Sequence, residues 1–95
     1  MRWLVERRLR RSSQRLLRLR AELREIDEQA VHLRDDADDS AVRAMVSERP
    51  DAPREAIEAR RHADAMARHR SRVVAEIRSL EQRQDALLDR LARHR

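Results

Sequence analysis

From residue 56 to residue 94 the chain carries a repeat that leaves it few ways to fold. Ala56, Ala59, Ala63, Met66, Arg70, Val73, Ile77, Leu80, Gln84, Leu87, Leu91 and His94 follow one another at alternating intervals of three and four. On an α-helix that alternation aligns every side chain on one seam, and such a seam is buried by a second helix with a matching repeat. The composition points the same way. Gly, Thr, Tyr and Phe are absent, Trp3 is the single aromatic residue, and the strong helix formers Ala, Leu, Arg and Glu dominate. We therefore expect an all-α protein.

A second seam runs through the first half. Leu9, Leu16, Leu23, Ala30, Ala37 and Ala44 occupy one core position, and Val5, Ser12, Leu19, Ile26, Leu33, Ser40 and Ser47 the other. After Leu33 the more apolar series is Ala37, Ala41, Ala44 and Met45, whose steps of four predict a stutter. Asp35, Asp36, Asp38, Asp39 and Ser40 lie at that point and compete with helix by bonding the local backbone. One long helix is expected through them, with a kink or break at 35–40 as the alternative. The strong boundary is the segment from Glu48 to Pro53. Pro50 disfavours helix at Arg49, Asp51 suits an N-cap, and Pro53 is tolerated in a first turn. The expected organisation is a single domain over residues 1–95: helix 2–48, turn 49–52 and helix 53–94, folded back as an antiparallel coiled-coil hairpin.

Matching core position to core position across such a hairpin, with paired residue numbers adding to 103, places Leu16 against Leu87, Leu23 against Leu80 and Ala37 against Met66. The acidic run at 35–39 then faces Arg68, Arg70 and Arg72. Several apolar residues remain outside both seams: Leu17, Val31, Val42, Met45 and Val46 in the first helix, and Ala67, Val74 and Leu88 in the second. Two helices burying one stripe each are marginal alone. These residues are therefore the candidate protein interface, for a second copy forming a four-helix bundle or for a larger partner.

The chemistry that the sequence excludes is extensive. Without Cys there are no disulfides, thiolate metal sites or cysteine nucleophiles, and without Gly there is no phosphate loop. The acidic run lacks the spacing of a calcium loop, and His62, His69 and Asp36 form at best a sparse set of metal ligands. A two-helix chain is expected to have no pocket. We expect no catalytic residues, no cofactor, no metal and no small-molecule substrate. No stretch approaches the roughly 20 apolar residues of a membrane span, and a cytoplasmic location is expected.

Charge carries the strongest functional signal. All 23 basic residues are Arg and none is Lys, a bias that a GC-rich genome produces, so the choice of Arg is weaker evidence than the number of charges. Residues 1–24 hold nine Arg against two Glu, whereas 25–40 hold one Arg against seven acids. Arg2, Arg7, Arg8, Arg10, Arg11, Arg15 and Arg18, with Arg90, Arg93 and Arg95 from the other terminus, form a basic open end in the expected hairpin. Their partner is an acidic protein surface or the phosphates of a nucleic acid or ribosome. A membrane surface met through Trp3, Leu4 and Val5 is a weaker third reading. The resulting expectation is a non-enzymatic coiled-coil adaptor or accessory subunit, with a ribosome- or nucleic-acid-associated protein as the alternative. Polar seam residues, Ser12, Arg70 and Gln84, either fix register and partner choice or extend outward over the core.

Overall fold

The computed structural model describes residues 1–93. It contains two α-helices, α1 (Arg2–Val46) and α2 (Ala52–Arg93), paired antiparallel as a helical hairpin, with no strand among the described residues. The expected helix end at 94, the seam position His94 and the basic residue Arg95 lie outside them. Both seams face inward. Every expected seam residue from Val5 to Ser47 is buried or half-buried, and so is each described one from Ala56 to Leu91 except Arg70.

α1 is unbroken through the acidic run. The expected stutter does not occur: Ala41 and Met45 are exposed, while Ser40 and Ala44 of the original repeat are half-buried. The small residues hold the seam because α2 presents Ala56, Ala59 and Ala63 there, and small side chains on both helices allow the backbones a close approach.

The turn comes earlier than expected and is one residue longer, with α1 ending at Val46 and α2 starting at Ala52. Helices commonly stop on a left-handed glycine, and this chain has no Gly and no positive-φ residue among those described. It stops instead on side chains and prolines. Ser47 Oγ accepts the Arg49 N–H at 3.1 Å, Pro50 has no N–H to continue the ladder, and the Asp51 carbonyl accepts the Glu55 N–H at 3.0 Å as α2 begins. Asp51 is thus the N-cap residue, as its position suggested. The Arg49 Nη2 to Glu55 Oε2 pair at 2.7 Å spans the connection, and Ala52 is buried at the start of α2.

Moving the turn changes the register. Ser13 bonds Gln84, Asp27 bonds Arg70 and Asp38 bonds Arg60, pairs whose numbers add to 97 or 98, while the long Arg15 side chain reaches along the flank to Glu76, a pair adding to 91. The register adding to 103 is therefore displaced by one heptad, to core pairs adding to 96. Counted from these bonds, the core positions nearest one another are Leu16 with Leu80, Leu19 with Ile77, Leu23 with Val73 and Ala37 with Ala59. The acidic run meets Arg60 through Asp38, while Arg70 meets Asp27.

The chain divides into two compact units. The first joins residues 1–23 to the C-terminal segment from Arg72, and holds the larger core: Val5, Leu16, Leu19, Val73 and Ile77 are buried. Fully burying a side chain of this size contributes roughly 1.5–3 kcal/mol. The second, Arg24–Ser71, buries Ile26, Ala37 and Ala52, a thinner core of mainly small residues.

Candidate interaction surface

Two flanks border the seam of the first unit, and their chemistry differs. On one, Arg8 and Arg15 are a heptad apart on α1, as are Arg83 and Arg90 on α2. Arg15 donates from Nη2 and Nε to Glu76 Oε1 at 2.8 and 3.2 Å, which ties the two helices along this side. Arg8, Arg11, Ser12 and Arg15 of α1 line an open groove of about 310 Å³ with Leu80, Arg83 and Leu87 of α2. It is a groove open to solvent along the helix pair rather than a closed cavity.

The other flank is apolar. Gln84 Nε2 donates to Ser13 Oγ at 2.9 Å. Leu17 stands one helical turn from Ser13 and Leu88 one turn from Gln84, so the two leucines lie diagonally on either side of that hydrogen bond. They are 67% and 49% exposed. Val74, two heptads from Leu88 on the same strip of α2, is half-buried. Trp3, two heptads before Leu17 on the same strip of α1, is exposed as well and extends the surface beyond the expected set. Four apolar side chains are thus brought to one side.

In the second unit Val31 is one turn from Asp27, and Met45 lies two heptads further along the same strip; both are exposed. Ala67, also exposed, lines a shallow groove with Ala30, Arg34, Arg60, Ala63, Asp64 and Arg70. Val42 and Val46 are exposed but do not join these residues. At 100° per residue Val42 points away from the seam and Val46 falls on the opposite flank, which corrects the expectation of a single stripe. Ile57, 55% exposed, was not among the expected residues. Its signal is its place beside Ala56, just outside the seam.

Of the arginines expected to contact phosphate or an acidic partner, Arg2 bonds Glu6 at 3.0 Å and Arg15 is held by Glu76. Arg7, Arg8, Arg10, Arg11, Arg18, Arg90 and Arg93 are exposed and enter no ion pair found among the described residues. Arg95 lies outside the described residues. By sequence the first unit carries fourteen Arg against six acidic residues, or +8, and the second nine against twelve, or −3. No group of three His, Asp or Glu side chains converges as a metal site would among the described residues, so Asp36, His62 and His69 are not assembled into one. Among the described residues no helix is long and apolar enough to cross a membrane.

Comparison with known protein families, curated proteins and solved structures returned no match. The class is defined by the fold: an all-α, two-helix antiparallel coiled-coil hairpin. Its first unit has one apolar and one arginine-lined flank.

Proposed function

We propose that this chain is a non-enzymatic coiled-coil adaptor or accessory subunit that binds a protein partner through the apolar flank of its first unit, beside the basic residues. The observation that carries the reading is the exposure of Leu17 and Leu88 on either side of the Ser13–Gln84 hydrogen bond. Leucines so placed add nothing to the seam, and covering them removes apolar area from water at roughly 25 cal/mol per Å². A second copy is the simplest occupant, because two such flanks brought together make a four-helix arrangement. A larger protein presenting an amphipathic helix is the other occupant.

The test is the triple variant Leu17→Glu, Val74→Glu, Leu88→Glu, with mass measured by light scattering and helicity by circular dichroism. The expected outcome is retained helicity with association lost. An unchanged assembled mass overturns the reading.

A second reading, favoured by the +8 charge of the first unit, is contact with the phosphates of a nucleic acid or ribosome. It uses Arg7, Arg8, Arg10, Arg11 and Arg18, all exposed, and differs from the first in its response to salt.

A further inference from the structure

The groove on the arginine flank contains a residue that the coiled coil does not need. Ser12 lines it at 8% exposure, and its Oγ has no hydrogen-bond partner. Buried polar groups are rarely left unpaired, and at a seam position Ala or Leu would preserve the repeat with better helix propensity. Arg8, Arg11 and Arg15 of α1, spread over about 10 Å of helix, and Arg83 of α2 line the same groove. Glu76 neutralises Arg15, and Arg83 Nη2 touches Ser79 Oγ at 3.3 Å. Arg8 and Arg11 enter no ion pair found among the described residues. Positive charge remains in excess.

We propose that this groove binds a small molecule through a phosphoryl group. Arg8 and Arg11 donate to its oxygens, and the Ser12 hydroxyl, turned by rotation about χ1, supplies a further donor. A carboxylate is satisfied by a single guanidinium fork, whereas several guanidiniums on two helices call for more acceptors and more charge. A phosphoryl group brings about −1.5 to −2 charge and three acceptor oxygens. The volume of about 310 Å³ is at the lower end for ligand pockets, so the molecule is compact. Leu80 and Leu87 offer apolar surface to whatever body carries the phosphate. Free diphosphate and a nucleoside diphosphate share this chemistry. The site does not depend on the apolar flank, and the two stand or fall separately.

The test is calorimetric titration of the full chain with inorganic pyrophosphate, with adenosine diphosphate and with citrate as a polycarboxylate control. Both phosphates should bind, and citrate at least about tenfold more weakly. Arg8→Gln and Arg11→Gln should each weaken pyrophosphate about tenfold, the loss of one charge-assisted hydrogen bond. Arg61→Gln, in the second unit, should leave it unchanged. Ser12→Ala should weaken binding severalfold while raising the melting temperature of the ligand-free protein, because the orphan hydroxyl is gone. Tighter binding of the nucleoside diphosphate assigns the leucines to its body, and equal affinities assign the site to free diphosphate. Citrate binding as tightly as pyrophosphate overturns the proposal. So does an Arg61→Gln loss matching that of Arg8→Gln, or a Ser12→Ala variant of undiminished affinity.

Discussion

Of the polar residues that interrupt the seams, Gln84, Ser12 and Arg70 are each accommodated differently. Gln84 is half-buried and bonded to Ser13; Ser12 is buried and unbonded; Arg70 is exposed, with Nε 2.6 Å from Asp27 Oδ1. Sequence alone allowed Arg70 either to dictate partner choice or to lay its methylenes over the core and extend outward. It does the second. Both side chains of the Arg70–Asp27 pair are nearly half exposed, at 47% and 48%, and such pairs contribute at most about 1 kcal/mol. A leucine at this position would cover apolar surface that the arginine leaves partly wet. We expect Arg70→Leu to raise the free energy of unfolding by about 1 kcal/mol, with an unchanged urea m value. A destabilised variant would show that the ion pair contributes more than its exposure allows.

At the scale of the elements, the pairing of α1 with α2 gives the sharpest prediction. Ala37 and Ala59 face each other in the observed register, whereas Ala37 and Met66 would do so one heptad away. Cysteines bridge only when their Cα atoms approach within about 7 Å. The double variant Ala37→Cys, Ala59→Cys should cross-link under mild oxidation, and Ala37→Cys, Met66→Cys should stay reduced; a reversal on non-reducing gels would restore the other register. Helix number, seam membership and the N-cap at Asp51 were legible in the sequence, because periodicity and proline chemistry are local. Register was not. A shift of seven residues returns every core position to a core position, so the pattern scores both alignments alike. The choice falls to where the turn is centred, and a displacement of two residues at the end of α1 was enough to decide it. The stutter failed for a related reason. Met45 is more apolar than Ser40, yet facing helices of small residues favour whichever side chain keeps their backbones close. The apolar flank was legible from Leu17, Val74 and Leu88, but the groove was not: it requires knowing that Arg8 and Arg11 stand across from Leu80 and Leu87, which depends on register.

For the whole molecule, charge and apolar exposure act in opposite directions, and salt separates them. The net charge is +5, and two copies meeting through their first units would bring +8 against +8. At low salt this repulsion opposes association driven by Leu17, Val74 and Leu88. Raising the ionic strength from about 0.1 M to about 1 M shortens the screening length from roughly 10 Å to roughly 3 Å and removes most of it. Apolar self-association should therefore tighten with salt. A phosphate contact should do the reverse, because each neutralised phosphate adds about −0.9 to the slope of log K against log salt on duplex DNA. Replacing Arg7, Arg8, Arg10 and Arg11 with Gln should then flatten that slope by up to about 3.6. The measurement is sedimentation equilibrium of the chain alone, and with a short DNA duplex, between about 0.05 and 0.5 M salt. If the chain associates with itself more tightly as salt rises and releases the duplex, the apolar flank leads and the arginines serve a secondary contact. If it stays monomeric throughout while the duplex binds with a steep slope that the arginine variant flattens, the adaptor reading gives way to one in which phosphate is the principal partner.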